Sequence, residues 1–125
     1  MATYRMRYFF DFGCQCLWSA NEAANERFGY AIEMSQLPLP KLTVDRVNEV
    51  ADWYMKSLNC AYAPDPGPWR QPECDRFNEI ARELLDEIRK ELGPDFEVVN
   101  EQVPMVEDPD LDAYLADPKG FRRKT

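Results

Sequence analysis

Apolar and polar residues alternate over residues 3–12, where Tyr4, Met6, Tyr8 and Phe10 interleave with Arg5, Arg7 and Phe9. That period of two predicts a strand with one buried face. Gly13 ends the pattern. Ser19 and Glu22 stand at the spacing of a capping box, which predicts a helix start. The helix runs to about Phe28, with Ala20, Ala23, Ala24 and Phe28 on one side and Gly29 as its C-terminal stop. Leu37-Pro38-Leu39-Pro40 reads as an extended connector, because proline cannot sit inside a helix. Thr43 is a candidate N-cap. Val44, Val47, Val50, Ala51, Tyr54 and Leu58 then recur at helical steps and predict a second helix over 44–58. Residues 59–71 hold Pro64, Pro66, Gly67 and Pro68 and read as a rigid loop. Pro72 suits the first turn of a third helix, and Glu73 and Asp75 complement its positive end. Phe77, Ile80, Ala81, Leu84, Leu85, Ile88 and Leu92 form its apolar face. Arg89 and Lys90 lie near its negative end, and Gly93-Pro94 stops it. Residues 96–103 read as a second strand, with alternation that decays after Val99, and Pro104 ends it. A third strand is available near residues 29–34, where Tyr30 and Ile32 alternate with Ala31 and Glu33.

This order predicts an α+β fold, a small sheet of two or three strands packed on three helices. A sheet of that size is marginal alone, so the helices must cover it. The length of 125 residues allows one core, placed here in residues 1–103. No internal repeat is visible.

Charge changes the picture at the C-terminal end. The formal charge is -8, from 23 Asp+Glu against 15 Lys+Arg, and there is no His. Asp95, Glu97, Glu101, Glu107, Asp108, Asp110, Asp112 and Asp117 follow one another with no base between them. Lys119, Arg122, Arg123 and Lys124 then close the chain. Residues 104–125 therefore read as an acidic tail with a basic end, either solvated or an electrostatic docking strip. Leu111, Tyr114 and Leu115 give it apolar content with which to fold back. The acidity argues against nucleic acid as a direct ligand and for a basic protein partner. No apolar run approaches the ~20 residues that cross a bilayer. No basic start followed by an apolar stretch and a cleavage site is present, so a cytoplasmic location is expected.

The candidate chemistry is thin. Without His there is no Ser/His or Cys/His pair and no imidazole metal ligand. Cys14, Cys16, Cys60 and Cys74 include no Cys-x-x-Cys knuckle, so they read as small buried hydrophobes and no metal or cofactor is expected. Cys74, in the first turn of the third helix, is the one thiol whose pKa a helix dipole would lower. Asp108-x-Asp110-x-Asp112 begins like a calcium loop. Ala113 stands where that loop needs Gly, and Lys119 where it needs Glu, which rejects it. Glu79, Glu83, Asp86, Glu87 and Glu91 read as a solvated helix face balanced by Arg82, Arg89 and Lys90. Trp18, Trp53, Tyr54, Tyr62, Trp69 and Arg70 are of the types that dominate interface hot spots, and they also suit a small core.

The run Tyr8-Phe9-Phe10-Asp11-Phe12-Gly13, then Cys16-Leu17-Trp18-Ser19, Asn21, Ala23-Ala24 and Glu26-Arg27-Phe28-Gly29-Tyr30, resembles small acidic bacterial proteins of unassigned activity. The resemblance continues through Leu37-Pro38-Leu39, Trp53-Tyr54, Ser57-Leu58-Asn59, Trp69 and Glu91-Leu92-Gly93, and covers most of residues 4–100. In type the chain is similar to immunity proteins of toxin–immunity pairs. That likeness, with the segregated charge and the lack of catalytic residues, implies a cytoplasmic inhibitor, not an enzyme, that binds a basic toxin domain such as a nuclease and covers its active site. Tyr62, Trp69 and Arg70 would anchor the contact, and Glu107, Asp108, Asp110 and Asp112 would face Lys and Arg on the toxin. The alternatives are a structural or regulatory interaction protein, or a His-free enzyme built on carboxylates or a cysteine.

Overall fold

The computed structural model of the chain describes residues 2–11, 16–62 and 64–122. Strand β1 (Tyr4–Tyr8) lies at the centre of a three-stranded sheet. Strand β2 (Leu17–Ser19) pairs antiparallel with it, with Met6 opposite Ser19 and Tyr8 opposite Leu17. Strand β3 (Phe96–Asn100) pairs parallel with it on the other side, with Arg5 opposite Glu97 and Met6 opposite Val98. A parallel pair needs a long crossover. Here the helices α1 (Glu22–Phe28), α2 (Lys41–Met55) and α3 (Gln71–Leu92) all fall between β2 and β3 in the chain. The architecture is α+β, as the order of periods predicts.

The buried face of the sheet is the alternating set Met6, Tyr8, Leu17 and Val98. Against it lie Ala24 and Phe28 of α1 and Phe77, Ala81, Leu84, Leu85 and Ile88 of α3, in one continuous core. Tyr8 carries its hydroxyl into that core and donates to the Ala81 carbonyl at 2.7 Å, which satisfies a group too costly to bury alone. Tyr4, Phe28 and Phe96 close one end of the core with ring centroids 5.2 to 6.4 Å apart. Helix α2 packs along α3 through Val47, Val50 and Ala51.

Several expectations are corrected. The third strand is Leu17–Ser19, and residues 29–34 add only a single bridge at Ala31, opposite Trp18. Ser19 therefore does not cap α1. It is a strand residue whose Oγ donates to the Gly29 carbonyl at 2.6 Å, and the cap is Asn21, which accepts from the Ala24 amide. Asn and Ser are equivalent as caps, so spacing alone could not choose between them. Thr43 does not cap α2, which already begins at Lys41 after Pro40. Its hydroxyl instead donates across to Glu91 of α3 at 2.6 Å. Pro40 supplies the extended ψ that precedes a helix but no side-chain acceptor. Strands β1 and β3 are five residues each, shorter than the alternation suggests. The end of the first alternation, Phe12, lies outside the described residues.

After β3 the chain turns back along α3. Gln102 accepts from the Phe10 amide at 2.7 Å. Asn78 of α3 holds Met105 by both backbone groups, donating to its carbonyl at 2.9 Å and accepting from its amide at 2.7 Å. A short helix α4 (Leu111–Ala116) follows, with Leu111 buried, Tyr114 half-buried and Leu115 exposed.

Candidate partner-binding surface

The surface is built from three pieces of chain. The first is the loop from Lys56 to Arg70. Asn59 organises it, donating to the Pro66 carbonyl at 3.0 Å and accepting from the Ala61 and Tyr62 amides at 2.9 and 3.0 Å. Pro66 is fully buried. A Cβ on Gly67 would collide with the Ser57 carbonyl oxygen, so the loop closes only with glycine at that position. Tyr62 stands out at 60% exposure. The second piece is the first turn of α3, with Gln71 and Glu73. The third is the returning segment from Val106 to Asp112.

Trp69 joins the loop to the core. It is buried, with its ring 5.3 Å from those of Trp53 and Phe77. It supports the surface from below and is not part of the exposed area. Trp53 is fixed in turn by its indole N–H, which donates to Glu73 at 2.6 Å. Burial of an amphipathic ring with its polar atom satisfied is the ordinary outcome for Trp.

Arg70 is the hub of the charged part. Its guanidinium lies 2.8 Å from Asp112 and 3.6 Å from Glu107. Gln71 and Glu107 bond reciprocally: the Gln71 amide donates to the Glu107 carboxylate at 2.9 Å, and the Glu107 amide donates to the Gln71 side-chain oxygen at 3.0 Å. Of the residues singled out in the sequence, the structure thus brings Arg70, Glu107 and Asp112 into one ion-paired group. Asp108 and Asp110 stand at the entrance to α4, where the Asp110 amide donates to the Asp108 side chain at 2.9 Å. The Tyr114 amide donates to the Asp110 carbonyl at 2.9 Å. The Asp112 carboxylate therefore turns to Arg70 and the Asp108 carboxylate into the turn that starts α4. Among the described residues no three metal-ligating side chains converge.

Beside this group lies a cleft of about 230 Å³, lined by Asn59, Trp69, Cys74, Met105 and Asp108 among others. Cys74 at its wall has a raised pKa, pushed up by burial first and then by the nearby Asp75 and Glu107 charges. The helix dipole does not win there, which corrects the expectation of an activated thiol. Cys16 is buried too, and burial pushes its thiol up to about 12. Cys60 is exposed, and Cys14 lies outside the described residues.

Two features escape the sequence reading. Arg89 does not balance the acids of α3. It donates twice to the Val98 carbonyl, at 2.7 and 3.1 Å, on β3. And the outer face of the sheet carries an aromatic run, Phe9, Trp18 and Tyr30, with Arg7 at one end. The signal for it was present: Phe9 falls on the Arg5–Arg7 side of the alternation.

Among the described residues no helix is long and apolar enough to cross a membrane. A family model described as Serratia CdiI immunity protein-like matches residues 4–102. No curated protein matches the chain. The match spans most of the molecule, from β1 through β3, and the chain belongs to that family.

Proposed function

We propose that the chain is a cytoplasmic immunity protein that binds a basic toxin domain and neutralises it by covering its active site. Membership of the immunity-protein-like family carries this reading. The formal charge of -8 supports a basic partner, since opposite net charges steer encounter and raise the association rate. A nuclease is the toxin chemistry that fits best, because a site that holds phosphates must itself be cationic. The role is one of binding and not of catalysis.

The contact surface in this reading is the loop, the start of α3 and the segment to Asp112. Tyr62 offers an exposed aromatic anchor. Asp112 has a side chain 85% exposed and in this reading faces toxin cations, together with Asp108 and Asp110 at the entrance to α4. Arg70 and Glu107 hold the segment in place, and Arg70 offers its remaining donors. Trp69 acts indirectly, by fixing the loop. Such pre-organisation lowers the ordering cost of binding.

The test is capture by the tagged chain from its native lysate at low and raised salt, read by mass spectrometry. One basic protein is expected, released by salt. Expressed alone, that protein arrests growth, and co-expression with this chain restores it. A folded chain that retains nothing, or a captured protein with no toxicity, overturns the proposal.

A further inference from the structure

The helices α1 and α3 cover the Met6–Tyr8–Val98 face of the sheet, and the opposite face carries two charged rows. On β1 stand Arg5 and Arg7, followed by Phe9. Glu97 and Val99 stand on β3, followed by Glu101. Arg5 pairs with Glu97 at 2.8 Å and Arg7 with Glu101 at 2.7 Å. Each of these side chains is still 38 to 57% exposed. Next to the rows lies a rigid aromatic run. Arg7 sits over the Phe9 ring at 5.1 Å. Phe9 and Trp18 stack at 5.0 Å and 11°. The Trp18 indole N–H donates to the Phe9 carbonyl at 3.0 Å, and Tyr30, 55% exposed, lies against Trp18 at 5.4 Å.

These four charges cancel on a chain whose net charge is -8. This neutral face is where two copies can approach without like-charge repulsion. The rows are also self-complementary. A twofold axis between β1 and β3, parallel to them, lays β1 of one copy over β3 of the other. The register places Arg5 level with Glu97 and Arg7 level with Val99, so Arg5 of each copy then meets Glu97 of the other, with Arg7 one step short of Glu101. An isologous contact requires that reciprocity. Face-to-face sheets stack about 10 Å apart, within reach of these side chains. We propose that the uncovered sheet face pairs two copies of this chain about such an axis, with β1 on β3 as the overlap, Phe9 and Val99 as its apolar residues, and Trp18 on β2 at its margin. The proposal does not rest on toxin binding, which we place on the loop, the start of α3 and the segment to Asp112.

Sedimentation velocity of the full chain across a wide concentration range tests it. The mass is expected to rise from the 14.6 kDa monomer toward twice that value. Arg5→Glu places acids on both rows, and Glu97→Arg places bases on both. Each variant alone is expected to stay monomeric, with circular dichroism confirming its fold. Their equimolar mixture is expected to dimerise again, since acid rows then face basic rows. A wild-type chain that is monomeric at every concentration overturns the proposal. So does a dimer that Arg5→Glu leaves intact, because it would form through another face.

Discussion

Helix α3 is held on two sides by different means. Toward the sheet it presents Phe77, Ala81, Leu84, Leu85 and Ile88, all at 2% exposure or less. Toward the returning segment it presents amides: Asn78 grips both backbone groups of Met105, and Gln71 exchanges bonds with Glu107. Positions 71 and 78 are two turns apart and so share a face. The core side gains from burial, which is non-directional and scales with area. The amide side gains little net energy per bond but fixes the register of the chain it holds. One side makes the fold, and the other positions Glu107 to Asp112.

The largest expected effect is on the core side. Phe77 has no exposure and touches the rings of Phe10, Trp53, Tyr54 and Trp69. Phe77→Ala is expected to cost about 3–5 kcal/mol in urea unfolding. A domain of this size has about 5–15 kcal/mol in all. Leu111→Ala comes next, because Leu111 is the buried residue of the returning segment at 1% exposure. About 2–3 kcal/mol is expected, at the low end for such a change, since a six-residue helix can shift to fill the space. A change near zero would show that the segment contributes nothing to the core.

The core side was legible in the sequence and the amide side was not. The apolar residues of α3 repeat at three and four over 22 residues, a signal that local accidents do not mimic. The alternation of β1 named its buried face correctly for the same reason. Asn78 and Gln71 gave no such signal, because one polar side chain on a helix reads as solvated whether or not backbone lies over it. Trp69 shows the same limit from the other direction. Its type suits both an interface and a core, and only the ring contacts to Trp53 and Phe77 decide. The short strand β2 was lost because three residues cannot show a period, and Ser19 fitted a cap motif as well.

Alkaline pH probes the core side without mutation. Burial raises the Cys16 pKa from near 9 to about 12, and Tyr8 is raised by burial and by Cys16. Both groups keep their protons longer in the fold than in the open chain. The unfolded state therefore binds fewer protons once pH passes 9, and stability falls as pH rises from there toward 12. The thermal midpoint is expected to be flat up to about pH 9 and to drop above it. A midpoint that rises in that range would contradict the buried placement of Cys16.

The amide side is weaker and local. Asn78→Ala is expected to cost about 1–3 kcal/mol, because it leaves both backbone groups of Met105 without their partner. Hydrogen exchange separates this from a general loss. The Met105 amide should exchange faster while amides in the middle of α3 keep their protection in proportion to global stability. Uniform acceleration would mean that the segment and the core open together.

The smallest effect on stability is expected at Arg70 and Asp112, and it sharpens the contrast most. Their ion pair is 2.8 Å long, but the side chains are 46% and 85% exposed. An exposed pair is worth little, because water and salt screen it and two side chains must be held still. Asp112→Ala should therefore leave the urea midpoint nearly unchanged, and a double-mutant cycle with Arg70→Ala should give a coupling close to zero. If Asp112 meets a toxin cation as proposed, the same substitution slows association and flattens its salt dependence. A residue that hardly matters to the fold would then matter to binding, the reverse of Phe77. Loss of stability without a change in association rate would place Asp112 with the residues that hold α3, and would leave Tyr62, Asp108 and Asp110 to carry the contact.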